Sequence, residues 1–117
     1  MGMKILYKNK AAERQFSSEY KRNWKYPEQV KKKLEAAENY IRNASSLLDI
    51  KNFPPFRVHK LSGDRKGEWS ISLGNTGYRV TFIPCDDNEN ELLGGDIIAR
   101  CKTIKVICIT EVSNHYE

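Results

Sequence analysis

Residues 56–82 read FRVHKLSGDRKGEWSISLGNTGYRVTF, and the fold turns on how this stretch is read. Apolar and polar residues alternate along Trp69-Ser70-Ile71-Ser72-Leu73 and again along Tyr78-Arg79-Val80-Thr81-Phe82, the period-two pattern of strands with one face in a core. Gly74-Asn75-Thr76-Gly77 lies between the two runs and supplies hairpin chemistry. Upstream, Arg57-Val58-His59-Lys60-Leu61 predicts a third strand with Val58 opposite to Arg57 and His59, and Ser62-Gly63-Asp64-Arg65-Lys66-Gly67 predicts the turn after it. The polar positions are crowded with cations: Arg57, His59, Lys60, Arg65, Lys66 and Arg79.

Toward the N-terminus, Met3 to Tyr7 predicts a short strand and Asn9 a helix cap. Ala12, Phe16 and Tyr20 then recur at intervals of four, a narrow apolar stripe on a basic helix. Pro27 suits the first turn of a second helix, along which Val30, Leu34, Ala37, Ile41, Ala44 and Leu48 alternate in steps of four and three. Lys31, Lys32 and Lys33 fall on or beside its polar face, followed by Glu35 and Glu38. The expectation is an antiparallel helical pair packed on one face of the sheet. Asn52-Phe53-Pro54-Pro55-Phe56 ends the second helix and predicts an extended lead into the first strand of the cationic stretch.

Toward the C-terminus, Pro84 is expected to end its strand, and the acidic run from Asp86 to Glu91 predicts an exposed loop. Gly94-Gly95-Asp96 leads either into a short helix over Ile97, Ile98 and Ala99 or into a strand. Thr103 to Val112 is a nearly continuous β-branched run, as in a central strand buried on both faces. His115 and Tyr116 follow it.

The 117 residues bound the chain to one α+β domain, residues 1–117, large enough for a core without disulfides. Cys85, Cys101 and Cys108 have neither CxxC nor Cys/His ligand spacing, so reduced structural thiols are expected and no metal site. No apolar run approaches the roughly 20 residues that span a bilayer, and no signal-peptide core follows Met1, so a cytoplasmic protein is expected. Residues 1–33 hold ten Lys or Arg against three Asp or Glu, whereas Asp86, Asp87, Glu89, Glu91 and Asp96 form an acidic block. Such asymmetry suits a polyanionic partner on one surface, or simply a solvated basic face.

The sequence lacks a Walker loop, GxGxxG, HExxH, an EF-hand loop and GxSxG, which sets aside the familiar nucleotide, metal and acyl-transfer signatures. The two histidines, His59 and His115, adjoin Lys60 and Tyr116. Two imidazoles with Lys, Arg and Tyr suit metal-free RNA cleavage, which needs a base for the ribose 2′-OH, an acid for the 5′-oxygen and cations for the charge on phosphorus. Each residue also has a plainer role: His59 on a surface strand, Arg79 as an ion-pair partner of Asp64 or Glu68, Trp69 in the core, His115 and Tyr116 in a loose terminus.

The stretch matches the pattern F-R-x-H-x-L-x-G-D-x-x-G-x-W-S, then a hairpin, then Y-R-V-x-F, then a strand ending near Asn114-His115-Tyr116. In this it resembles the HigB branch of the RelE-like toxins of bacterial type II toxin–antitoxin systems. The resemblance implies a RelE-like microbial RNase fold, in which an N-terminal strand and helical pair pack on a mostly antiparallel twisted sheet. It further implies cleavage of mRNA in the ribosomal A site, no cofactor, and neutralisation by a HigA-like helix-turn-helix antitoxin, with operator DNA met only through the antitoxin complex. By position it nominates His59, Lys60, Arg79, His115 and Tyr116 as catalytic, with Arg57, Arg65, Lys66, Lys31 and Lys32 as RNA contacts. Many members carry a lysine three residues after the strand histidine, where this chain has Ser62, and end in Asp-Tyr-His rather than Asn114-His115-Tyr116. A non-catalytic RNA- or ribosome-binding module, or a regulatory protein using its acidic loop, are the alternative expectations.

Overall fold

The β-branched run near the C-terminus is the middle of the sheet, as its composition predicts: β5 (Val106–Asn114) lies between β1 (Lys4–Tyr7) and β4 (Tyr78–Cys85). In this computed structural model, residues 2–63, 67–94 and 96–114 are described. The strands run in the order β1-β5-β4-β3-β2, with β3 at Trp69–Ser72 and β2 reduced to His59–Lys60 at the edge. Among the described residues the β1–β5 pairing is parallel and the other three are antiparallel, giving a mixed sheet in an α+β architecture.

β4 and β5 pair from Tyr78↔Asn114 to Cys85↔Val106, with a register slip between Thr81 and Phe82 that leaves Thr110 unpaired. The bulge resolves a conflict in the sequence. Ile107 and Ile109 are two apart, but Val112 follows after three, so a regular strand would turn it to the opposite face. One extra residue keeps all three in the principal core with Val80 and Phe82 from β4 and Trp69 and Ile71 from β3. Beyond the end of β1, the Val112 N–H donates instead to Gln15 Oε1 at 3.0 Å.

The helices cover this inner face. Asn9 caps α1 (Lys10–Phe16), its Oδ1 accepting from Ala12 N at 2.9 Å. The helix ends at Phe16 rather than running on through Tyr20, because Ser17 turns extended and its hydroxyl accepts from Glu19 N, opening a 3-10 turn over Ser18–Asn23. Pro27 precedes α2 (Glu28–Asn43), whose Val30, Leu34, Ala37 and Ile41 are buried as the stripe predicts. The stripe does not continue to Leu48. Ala44 is extended, and Ser46 caps a separate α3 (Leu47–Lys51) that buries Leu47 and Ile50 and leaves Leu48 half-buried. Glu38, expected in solvent, is buried, and its carboxylate accepts from Ser18 N and from the Arg42 guanidinium. Each lone pair so used offsets the cost of desolvating the charge.

Two proline expectations change. Phe53–Phe56 is not an extended connection: Pro54 and Pro55 open a 3-10 turn, whose φ a proline ring already favours. Pro84 does not end β4, which continues to Cys85. Its missing N–H costs no ladder bond because β3 pairs no further than Phe82, and on that side the Pro84 carbonyl accepts from Leu92 N at 2.8 Å. The acidic run is an exposed loop, as expected, ordered by Asp86 Oδ1 accepting from Asn88 N and Asn90 N. Of the two alternatives after Gly94, the helix forms: α4 (Ile97–Arg100), capped by Asp96.

Because α3 begins after a break, Leu47 and Leu48 separate in consequence. Leu47→Ala is expected to cost about 2–5 kcal/mol in urea unfolding, and Leu48→Ala clearly less; an uninterrupted helical stripe would reverse the order. Burial pushes the Cys85 thiol from 9 up to about 11, with Cys108 and nearby acidic groups adding to it. A group raised in the folded state stabilises it below the ordinary pKa and ceases to do so as pH climbs through the raised value. Stability should therefore fall between about pH 9 and 11, and at pH 8 iodoacetamide should label Cys85 only after unfolding in guanidinium.

Candidate anion-binding cleft

The outer face of the sheet is graded along β4. At the far end Cys85, Val106 and Cys108 form a small apolar cluster with Leu6 against them. In the middle sits a polar network: Thr110 donates to Glu68 Oε1 at 2.8 Å, its hydroxyl lies 2.6 Å from that of Thr81, and Glu111 is in register with Thr81. Toward the β3–β4 hairpin the face becomes cationic, around a cleft of about 160 Å³ lined by Arg57, His59, Ser70, Ser72, Tyr78 and Arg79 together with the turn.

Local chemistry fixes each wall. The turn between β3 and β4 closes with Leu73 N donating to Tyr78 O, and Thr76 Oγ1 donates to Leu73 O while accepting from Tyr78 N. Gly74 and Gly77 take φ of 61° and 86°, left-handed values that side chains rarely tolerate. The Gly74 carbonyl so exposed accepts from Arg57 Nη2 at 2.7 Å. Arg57 is itself left-handed, φ 44° and ψ 49°, directly after the 3-10 turn, so it is not part of a strand as the alternation predicts. That conformation points its carbonyl at His59 Nδ1, 3.0 Å away. A carbonyl only accepts, so Nδ1 carries the hydrogen and Nε2 is the ring atom able to exchange a proton in the cleft.

Arg79 is the centre. It lies in register between Ser72 on β3 and Ser113 on β5, and its Nε is buried with no hydrogen-bond partner among the described residues. The anticipated partner Glu68 instead has its carboxylate on Thr110, farther along the sheet. No carboxylate lines the cleft among the described residues; Glu111 stands one row from Arg79 on the same face, and the acidic loop begins seven residues beyond Arg79, about 23 Å at ~3.3 Å per strand residue. Two arginines thus line one small polar hollow, and the unpartnered Arg79 Nε with its positive charge suits an anion.

The sequence-predicted residues divide. Arg57, His59 and Arg79 come together here. Lys60 pairs with Trp69, on the face opposite to His59, and does not line the cleft. Lys31 is on α2 with its ammonium 4.0 Å from Glu28, and Lys32 is exposed on the same helix; neither reaches the cleft. Asp64, Arg65, Lys66, His115 and Tyr116 lie outside the described residues. The reading of the sequence passed over Glu111, one row from Arg79, because the β5 bulge that turns it outward has no local signature. Lys33 does not line the cleft, but the end of its side chain lies against Gly74, where an added Cβ would meet Lys33 Cε at 2.5 Å.

A buried donor without a partner costs about 1–3 kcal/mol. Arg79→Met, which keeps the stem and removes the charge, is therefore expected to be at least as stable in urea as the parent, while binding of a polyanion such as heparin weakens roughly tenfold or more; a marked loss of stability would mean that Arg79 is a structural ion-pair partner. No protein-family model matches the chain, and no curated protein matches it significantly.

Proposed function

We propose that the chain is a metal-independent endoribonuclease of the HigB type, with a RelE-like fold, that cleaves mRNA in the ribosomal A site in the cytoplasm. A HigA-like helix-turn-helix antitoxin would neutralise it and carry it to operator DNA. One observation carries this reading: the half-buried Arg79 guanidinium, with a buried Nε lacking a partner among the described residues, beside Arg57 and His59. The strand, helical cover and antiparallel run ending in a central strand support the fold assignment.

In the proposed reaction the ribose 2′-oxygen bonds to the adjacent phosphorus and the 5′-oxygen leaves, giving a 2′,3′-cyclic phosphate and a free 5′-hydroxyl. One proton departs the 2′-OH and one reaches the 5′-oxygen, so the balance requires no oxidant or metal. Arg79 and Arg57 stabilise the charge that grows on the phosphorane oxygens. His59 takes part in one proton transfer through Nε2; His115 and Tyr116 are the candidates for the other on the resemblance alone. Lys60, outside the cleft, is left to contact the RNA backbone, as are Arg65, Lys66, Lys31 and Lys32.

The second reading is an RNA- or ribosome-binding module that does not cut. It is favoured by one fact: His59 is the sole nominated proton-transfer group in the cleft among the described residues, with Lys60 on the other face. Induction without the antitoxin gene, with mapping of transcript 5′ ends, separates the two. The nuclease gives growth arrest and translation-dependent internal cuts, both abolished in a folded Arg79→Ala variant. Arrest with intact transcripts favours the binder, and arrest by Arg79→Ala overturns the site.

A further inference from the structure

A second hollow lies beside the cleft. It has a volume of about 260 Å³ and lies between α2, the 3-10 turn at Pro54–Phe56 and the β3–β4 hairpin. Tyr40, Phe53, Phe56 and Leu73 form its walls, and Lys33 reaches across its hairpin side. The aromatic walls are mutually braced. Tyr40 and Phe53 stack with centroids 4.3 Å apart, and Phe56 meets both edge-on at 5.3 and 4.8 Å. Ser72 and Gly74 line this groove and the cationic cleft alike, so the two are neighbouring compartments with a shared wall. A more open hollow of about 380 Å³, bounded by Pro54, Pro55, Arg57, Gly74 and Asn75, shares lining residues with both.

We propose that this groove is a nucleobase subsite, occupied by a base of the same single-stranded RNA whose backbone phosphate sits on Arg57 and Arg79. The proposal rests on the RNA-binding reading of the cleft given above. Its physical basis is the pairing of two chemistries in hollows that share Ser72 and Gly74: guanidinium donors for the phosphate, and a slot with aromatic and aliphatic walls for the flat apolar faces of a base. The polar edge of the base faces the mouth, where the Lys33 ammonium and the hairpin backbone supply donors and acceptors. Gly74 lines both compartments, and a side chain there would displace the end of Lys33. A hydrophobic peptide would fill the slot but would leave the adjoining guanidinium groups unmet.

The test uses a 2′-O-methyl hexaribonucleotide, which lacks the attacking hydroxyl and so stays intact, and a series in which one residue at a time is abasic. Binding to the whole chain is read by fluorescence anisotropy in low-salt buffer. One abasic position, or two adjacent ones, should weaken binding about tenfold while the others change little. Ala36 is exposed on α2 and lines the groove, so Ala36→Phe fills the slot from solvent without entering the core. That variant, with an unchanged thermal melt, should bind the intact strand only as well as the critical abasic strand, and should bind the abasic strand normally. Equal affinity of the parent protein for every abasic strand, with binding still lost in Arg79→Ala, overturns the subsite and leaves the RNA reading standing. So does an Ala36→Phe effect of equal size on intact and abasic strands, the result expected of a peptide groove. Absence of any Arg79-dependent binding to either strand overturns the RNA reading and the subsite with it.

Discussion

The antiparallel ladder between β4 and β5 is the constraint on which the rest depends, and its single slip matters as much as its eight pairs. Ile109 and Val112 both belong to the core, although their spacing contradicts the period of a strand. The bulge at Thr110 absorbs the contradiction and keeps one face apolar for the helices. It also sets the other face in order: Thr110 reaches Glu68 and Thr81, Glu111 turns outward, and Arg79 and Ser113 stay in register at the hairpin end. Core and cleft are thus two sides of one pairing.

The cationic end of that face is locally expensive. Arg79 holds a guanidinium in partial burial with one donor unmet among the described residues, a cost on the order of 1–3 kcal/mol that a neutral side chain would not incur. Arg57 adopts a left-handed backbone that a glycine would take more easily. Both departures from local preference fall within a few residues of each other in space, where β2, β3 and β4 meet. Among the other described residues, by contrast, no buried side-chain nitrogen or oxygen lacks a partner, and the Glu38 carboxylate has guanidinium and backbone donors.

Much of this was legible in residue order. Period-two alternation located β3 and β4, Asn9 and Pro27 marked the starts of α1 and α2, and the β-branched run marked β5 as central. What was not legible had a common cause: a local signal was overruled by a neighbour distant in sequence. The helical stripe runs smoothly to Leu48, yet Ser46 begins a new helix whose Leu47 N–H donates to Ile104 O. Pro84 reads as a stop until β3 is seen to end before it. Arg57, His59 and Arg79, crowded together in the sequence, line one cleft, whereas Lys60 is turned from it because adjacent strand residues face opposite ways. The groove beside it has no signature in the sequence, since Tyr40 and Phe53 pack against the core while also lining a hollow next to the hairpin.

The bond from Arg57 to the Gly74 carbonyl has one further consequence. A long side chain on a surface ordinarily samples many rotamers, and a ligand must freeze them, at a cost of up to about 2 kcal/mol. Here the Gly74 carbonyl favours one orientation of this guanidinium before any ligand arrives, in a direction set by a glycine turn rather than by another charge. The cleft's grip is therefore a property of backbone geometry as much as of charge count. Changes in the turn that alter no charge at all, by loosening that carbonyl, are a route by which such a surface can gain or shed affinity while its electrostatic field stays the same.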